Sequence, residues 1–146
     1  MKYTFKVIGI LLVLIIFNEN SFAQNSNFSR IGNVNDEIIL DKYEDYYLIS
    51  YEDNSMDSEG GTITFKLSDK ESTSKLYEVL KNSFSERNEK PTTVNLKDNE
   101  IRIYFKERTL KADYVEIIHE DINTETTGTL PWLTLNEVEK LFGKEE

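Results

Sequence analysis

The spacing of apolar residues changes abruptly within this chain, and this change constrains the fold more than any other feature of the sequence. Residues 62–67 alternate between apolar and polar side chains, a period typical of a half-buried β-strand. Residues 68–71 then match a capping box, in which a serine and a glutamate each satisfy the other's backbone amide at a helix start. The apolar residues that follow share one helical face: Leu76, Val79, Leu80 and Phe84. We therefore predict a strand that leads directly into a helix, and we expect the helix to end near Arg87.

The same succession of patterns recurs near the C-terminal end. Thr134 and Glu137 form a second capping box, Leu133 and Val138 are placed to pack together across the helix start, and Gly143 stands where the helix would end. Further strands are predicted over residues 38–40, 46–52, 93–96, 100–106, 112–120 and 124–130. Because short links join consecutive strands, we expect an α+β single domain, with an antiparallel β-sheet meander of six or seven strands and two helices packed against it.

Residues 1–23 have the layout of a secretory signal peptide. Lys2 and Lys6 precede an apolar run over residues 7–17, and small residues at positions 21 and 23 mark a cleavage site before Gln24. The apolar run is shorter than the roughly 20 residues of a membrane-spanning helix. We therefore predict export to the periplasm or the cell exterior, with no stable membrane insertion after cleavage. Residues 24–36 are polar and lack a period, which predicts a flexible tether before an α+β domain at residues 37–146.

The two ends of the chain share features with a group of known proteins. Residues 22–24 read Phe-Ala-Gln, residues 132–134 read Trp-Leu-Thr, and residues 140–144 read Lys-Leu-Phe-Gly-Lys. Together with the acidic, β-rich middle, these segments resemble small exported proteins common in Bacteroidetes-type bacteria. The resemblance implies export and a β-rich fold, and it implies no activity.

Composition argues against several classes of function. The net charge is −10 at pH 7, so the surface repels phosphate backbones and anionic lipids, and no nucleic-acid partner is expected. The chain has no cysteine, which excludes disulfides, thiolate metal sites and a cysteine nucleophile. The acidic segment at residues 53–61 suggests calcium, but Ser58 and Thr64 stand where an EF-hand needs glycine and glutamate. We therefore predict no metal and no cofactor.

His119 is the only histidine, so any chemistry that needs an imidazole must use it. Strand alternation puts Val115, Ile117 and His119 on one face and Glu120 on the other, so Glu120 is poorly placed to orient the ring. A triad or a zinc site needs further ligands in a defined geometry. We therefore predict a structural histidine near the end of a strand, at the margin of the sheet, and no catalytic residue.

A dense group of tyrosines provides the predicted binding residues: Tyr46, Leu48, Tyr47 and Tyr51. Alternation puts Tyr47, Ile49 and Tyr51 on the presumed inward side of a strand, and Tyr46 and Leu48 on the opposite side. Exposed aromatic side chains often anchor protein interfaces. The alternative is that these tyrosines reflect only the preference of the residue for strands.

These observations predict an exported, non-enzymatic binding or accessory protein that engages another envelope or secreted protein, as an inhibitor or immunity protein does. Two alternatives remain open. A small carboxylate-dependent hydrolase would need two acidic side chains that converge in a cleft. A carrier of small apolar ligands would need a closed apolar cavity. A protein-binding role would instead need an exposed aromatic or apolar patch.

Overall fold

The computed structural model describes residues 27–55 and 61–145, and within this part of the chain it contains eight strands and two helices. The first sheet consists of β1 (Ser29–Val34), β2 (Ile38–Lys42), β3 (Tyr47–Glu52) and β4 (Thr62–Leu67), and helix α1 (Lys70–Glu86) follows it. The second sheet consists of β5 (Thr92–Asn95), β6 (Asn99–Lys106), β7 (Tyr114–Asp121) and β8 (Thr127–Thr129), and helix α2 (Leu135–Leu141) ends the fold.

Each sheet is an antiparallel meander in which strands pair in chain order, β1 to β4 in one and β5 to β8 in the other. The predicted α+β domain with an antiparallel meander and two helices is therefore confirmed. The expectation of one continuous sheet is wrong, because α1 separates β4 from β5 and the two strands do not pair. Strand periodicity predicts which residues point inward, but it does not tell which strands share hydrogen bonds across an intervening helix.

One continuous apolar core joins the two sheets and both helices. Alternate residues of the strands point into it, and the predicted stripe of α1 contributes Leu76 and Leu80, which are buried, while Val79 and Phe84 are partly buried against it. Helix α1 packs against β4 to β7, and α2 packs against β1, β2 and α1. The core is thus closed by elements from both ends of the described chain.

Strand β1 corrects the prediction of a flexible tether over residues 24–36. Residues 29–34 form β1, which pairs antiparallel with β2 from Ser29 opposite Lys42 to Val34 opposite Ile38. Gly32 lies so close to the end of α2 that a Cβ there would overlap the carbonyl oxygens of Lys140 and Leu141. Polar residues and this glycine hide the strand period, so tertiary contacts determine β1. The predicted signal peptide, residues 1–23, and residues 24–26 of the predicted tether lie outside the described residues.

The start of α1 differs from the predicted capping box by one residue. Asp69 is the N-cap, and its carboxylate accepts a hydrogen bond from the Ser72 amide at 2.7 Å. Ser68 instead directs its hydroxyl to Asp69 and Ser72. Aspartate caps helices as well as serine does and adds a favourable negative charge at the helix N-terminus.

The start of α2 confirms the predicted capping box. The Thr134 hydroxyl oxygen accepts from the Glu137 amide at 3.4 Å, and a Glu137 carboxylate oxygen accepts from the Thr134 amide at 2.8 Å. Leu133 and Val138, the predicted pair across this helix start, are both fully buried. Gly143 follows the helix with a φ of 64°, a conformation that glycine adopts without steric cost.

Thr134→Ala is expected to lower the free energy of unfolding by about 0.5–2 kcal/mol, because it removes the acceptor for the first turn of α2. Thr134→Ser keeps the hydroxyl and is the matched control, with an expected change close to zero. Urea unfolding curves measure both changes. Equal curves for the alanine variant and the unmodified protein would show that this cap does not stabilise the domain.

Candidate functional site

His119 lies where the inner faces of the two sheets meet, and it is fully buried. Its Nδ1 is 3.1 Å from the Tyr51 hydroxyl of β3, and its Nε2 is 2.8 Å from Oδ1 of Asn99 at the start of β6. The ring stacks on Phe65 of β4 with centroids 4.4 Å apart. Gly128, opposite His119 in the β7–β8 ladder, leaves room for the Tyr51 hydroxyl, since a Cβ there would overlap it.

The partners of this network determine where the protons lie. The Asn99 amide nitrogen donates to the backbone carbonyl of Lys66 at 2.9 Å, so the Asn99 Oδ1 must accept. The His119 Nε2 therefore carries the proton and donates to Oδ1. Nδ1 is then an acceptor, and the Tyr51 hydroxyl donates to it. Every polar side-chain atom of this buried trio has a partner, as a stable interior network requires.

Burial also sets the electrostatics of the network. It lowers the pKa of His119 from 6.5 to about 4, although the charges of Asp121 and Glu120 act in the opposite direction. It raises the pKa of the Tyr51 hydroxyl, with a smaller contribution from Asp53. Both groups are thus neutral near pH 7. The predicted position of His119 at the sheet margin is wrong, because β7 is an inner strand of its sheet and the buried His119 side chain contacts Tyr51 and Phe65 of the other sheet.

The four predicted binding residues are found in different environments. Tyr51 is only 1% exposed and belongs to the core, so it cannot contribute to a binding surface. Tyr47 is partly buried and packs against the core. Leu48 and Tyr46 are half-buried, and Leu48 points away from the side of Ile49 and Tyr51, as predicted. Of the four, only Tyr46 and Leu48 remain accessible away from the core.

Tyr46 belongs to a surface column that we call the Tyr46 stack, formed by Phe28, Tyr43, Tyr46 and Lys66. The Tyr46 and Tyr43 rings are parallel with centroids 4.6 Å apart, and Tyr43 in turn stacks on Phe28 at 5.6 Å. The Lys66 ammonium lies 4.3 Å from the Tyr46 centroid on the sheet surface. The faces of the Tyr46 ring are therefore already used in contacts within the protein.

A second aromatic group, not predicted from the sequence, occupies the outer side of the second sheet. We call it the Trp132 cluster, formed by Arg108, Tyr114 and Trp132. The Tyr114 and Trp132 ring centroids are 4.8 Å apart. The Arg108 guanidinium carbon lies 4.2 Å from the Tyr114 centroid and 4.9 Å from the Trp132 centroid. Trp132 is 49% exposed. Because the three residues come from a loop, a strand and a separate segment before α2, no local pattern brings them together.

The loop that carries Arg108 is held in place by hydrogen bonds and ion pairs. The Arg108 amide donates to the Asp113 carboxylate at 3.1 Å, and Arg87 reaches both Asp113 and Glu107, at 3.4 and 3.5 Å. The same loop presents Leu110, which is 94% exposed. A depression of about 310 Å³ adjoins the loop; its lining residues are Phe84, Arg87, Ala112, Asp113, Thr134, Leu135 and Asn136.

The second sheet carries two facing carboxylates, the kind of pair that the hydrolase alternative requires. Glu100 and Glu120 lie directly opposite each other in the β6–β7 ladder. Arg102 contacts both of them, at 3.4 Å and 3.2 Å. These carboxylates are engaged in an ion-pair network on a sheet face, whereas glycoside hydrolysis needs two carboxyl groups on either side of a substrate.

A cleft with aromatic walls, the kind of site that the carrier alternative requires, lies between the first sheet and the two helices. Tyr47, Tyr77 and Phe142 line it together with Lys70 and Lys144, and its volume is about 190 Å³. Ligand pockets in proteins usually enclose roughly 300–1,000 Å³. This cleft is therefore smaller than a typical carrier site.

Two further properties concern residues 27–55 and 61–145. No three histidine, aspartate or glutamate side chains in these segments gather in a way that could hold a metal ion. No helix there is long and apolar enough to cross a membrane. Comparison with known proteins finds no family model, no curated protein and no solved structure that matches this chain.

Proposed function

We propose that this chain is an exported, non-enzymatic binding protein that engages another envelope or secreted protein, and that the Trp132 cluster is the centre of its binding surface. An inhibitor or immunity role belongs to this class. The observation that carries the proposal is that the half-exposed Trp132 ring contacts Tyr114 and Arg108. The loop that carries Arg108 is itself held by the ion pair between Arg87 and Asp113.

The residue types of the cluster support this function. Tryptophan, tyrosine and arginine are the three residues most enriched among those that dominate binding energy at protein interfaces. Preformed contacts among them reduce the entropy lost on binding, because fewer side chains must be ordered. The half-exposed Trp132 and the almost fully exposed Leu110 leave apolar surface for a partner to cover.

The Tyr46 stack is the second surface on which a partner could bind. Its rings contact one another and Lys66, so less aromatic area is free there than at the Trp132 cluster. Phe28 is its most exposed ring, at 48%, almost the same value as for Trp132. Phe28 therefore provides a matched control for any test of the cluster.

Trp132→Ala is expected to abolish capture of a specific partner from an envelope extract, with a loss of at least about 2 kcal/mol of binding energy. Phe28→Ala and Tyr46→Ala should retain capture. Mass spectrometry identifies the retained protein, and titration of that purified protein measures the loss. Full capture by Trp132→Ala, with loss in Tyr46→Ala, would move the binding surface to the Tyr46 stack. An enzymatic activity that depends on a carboxylate pair would contradict the proposal.

Export has its own test. The exported protein is expected to begin at Gln24, because small residues at positions 21 and 23 satisfy the rule for signal cleavage. Intact-mass measurement of the protein from the periplasmic and extracellular fractions determines its first residue. Recovery of a chain that still begins at Met1 in the membrane fraction would contradict cleavage and favour an anchor.

A further inference from the structure

We infer that the Trp132 cluster recognises a segment of the partner protein that presents an acidic side chain beside an apolar one, with Arg108 binding the carboxylate. This inference rests on the proposed function and specifies the chemistry of the partner.

Arg108 differs from the other arginines of the chain. Arg30, Arg87 and Arg102 each form a salt bridge with an aspartate or glutamate. Within the part of the chain that the structure describes, the Arg108 guanidinium forms no such bridge, and it lies over the Tyr114 and Trp132 rings. This is unusual in a protein with a net charge of −10, where carboxylates are abundant.

The aromatic contacts of Arg108 prepare it for a carboxylate. Rings that contact a guanidinium attract its charge through their π electrons. A guanidinium whose flat face lies over a ring can still donate hydrogen bonds from its N–H groups, because these lie in the guanidinium plane. A planar carboxylate accepts two parallel hydrogen bonds from this fork, which is among the strongest polar contacts in proteins. The two ring contacts also reduce the side-chain ordering that binding would otherwise require.

The surrounding charges favour an acidic group at this place on the surface. Nearby carboxylates are already paired, since Arg87 holds Glu107 and Asp113, and Lys106 lies 3.9 Å from Glu116. The exposed Lys111 adds a further positive charge to the same loop. Because the chain as a whole is acidic, an acidic segment is repelled elsewhere and attracted here, which fixes its orientation on the surface.

Two exposed apolar side chains of this surface indicate that the partner's segment also carries an apolar residue. The Trp132 ring lies against the Arg108 guanidinium, and Leu110 follows Arg108 by two residues in the same loop. Both side chains present large apolar areas to solvent. An apolar side chain next to the acidic one would cover this area and exclude water from the ion pair. Removal of water strengthens a charged hydrogen bond.

Fluorescence of Trp132 can test the inference directly, because it is the only tryptophan of the chain. The probes are two peptides with acetylated and amidated ends, Ala-Leu-Glu-Leu-Ala and Ala-Leu-Gln-Leu-Ala. We expect a saturable change in emission with the glutamate peptide and at least about tenfold weaker binding of the glutamine peptide. Equal binding of the two peptides would overturn the inference.

Variants of the protein identify the residue that binds the carboxylate of the glutamate peptide. Arg108→Gln should bind both peptides equally, and Arg108→Lys should lose most of the preference because lysine lacks the planar fork. Lys66→Gln removes the matching cation from the Tyr46 stack and should leave the preference unchanged. A preference that persists in Arg108→Gln, or that disappears in Lys66→Gln, would overturn the assignment.

Two further results separate this inference from the proposed function. If Arg108→Gln retains partner capture while Trp132→Ala loses it, the carboxylate inference fails and the binding function stands. If both variants capture the partner as the unmodified protein does, the proposed surface itself is wrong. An emission change with a thymidine oligonucleotide equal to that with the glutamate peptide would overturn the inference in favour of a phosphate-binding surface.

Discussion

His119→Ala is expected to lower the free energy of unfolding by about 3–5 kcal/mol, the loss typical of a large buried ring replaced by alanine. The substitution removes the ring stacked on Phe65 and leaves a cavity where the two sheets meet. It also deprives the buried Tyr51 hydroxyl of its acceptor and the Asn99 Oδ1 of a donor. An unpartnered buried polar group costs about 1–3 kcal/mol.

Urea unfolding at neutral pH measures this loss, and Tyr51→Phe is the matched control. That change keeps the ring and removes one hydroxyl, so it leaves only Nδ1 without a partner. The expected loss is about 1–3 kcal/mol, less than for the alanine variant. Equal losses for the two variants would show that the cavity contributes little. No loss for His119→Ala would contradict the structural role of the network.

The same histidine should make the domain sensitive to acid. Its pKa falls from 6.5 to about 4 on burial, so the unfolded chain takes up the proton more readily than the folded one. The free energy of unfolding therefore decreases as the pH falls from 6.5 to 4, by about 3 kcal/mol from this group alone. Above pH 6.5 the group is neutral in both states and contributes no pH dependence.

His119→Gln removes this titration and serves as the reference for the acid effect. Carboxylates also titrate in this range, so the informative quantity is the difference in unfolding free energy between the two proteins. That difference should shrink as the pH falls from about 7 to about 4, because only the unmodified protein loses the histidine contribution. A difference that stays constant would show that His119 is not held neutral by the fold.

Leu141→Ala is expected to lower the free energy of unfolding by about 2–5 kcal/mol. Leu141 ends α2 and is 1% exposed. It belongs to the core that α2 closes against β1 and β2, so its loss leaves a cavity at the junction of the two ends of the fold. The wide range reflects how far neighbouring side chains can fill that cavity.

Leu110→Ala is the matched control for this prediction, because Leu110 has the same side chain and is 94% exposed. Its expected change is within about 0.5 kcal/mol. Urea unfolding curves compare the two variants. Similar curves for both would show that α2 is not docked on the first sheet in solution.

Local patterns were sufficient to predict most elements of this fold. Alternation located β4 and its inward residues Phe65 and Leu67, and the capping box located the start of α2 at Thr134. They failed at β1, whose Gly32 and polar neighbours carry no period and whose strand conformation depends on pairing with β2. The division into two sheets also escaped prediction, because hydrogen-bond partners across α1 depend on the whole fold.

The sites were harder to predict than the fold, for a physical reason. Alternation correctly put His119 on the face of Val115 and Ile117, but its partner Tyr51 is 68 residues away, and only tertiary packing joins them. The Trp132 cluster likewise joins residues from three segments. The single tryptophan, placed next to the predicted helix start, was the one signal that could have directed attention to that surface.

The close approach of α2 to Gly32 determines when this domain can finish folding. The contact joins positions about a hundred residues apart, so it closes a long loop and forms only when both ends are present. A chain that emerges N-terminus first therefore leaves β1 uncovered until α2 has been synthesised. The domain therefore completes its core only after the residues of α2 have been synthesised, so the last step of its folding follows the synthesis of both contacting segments.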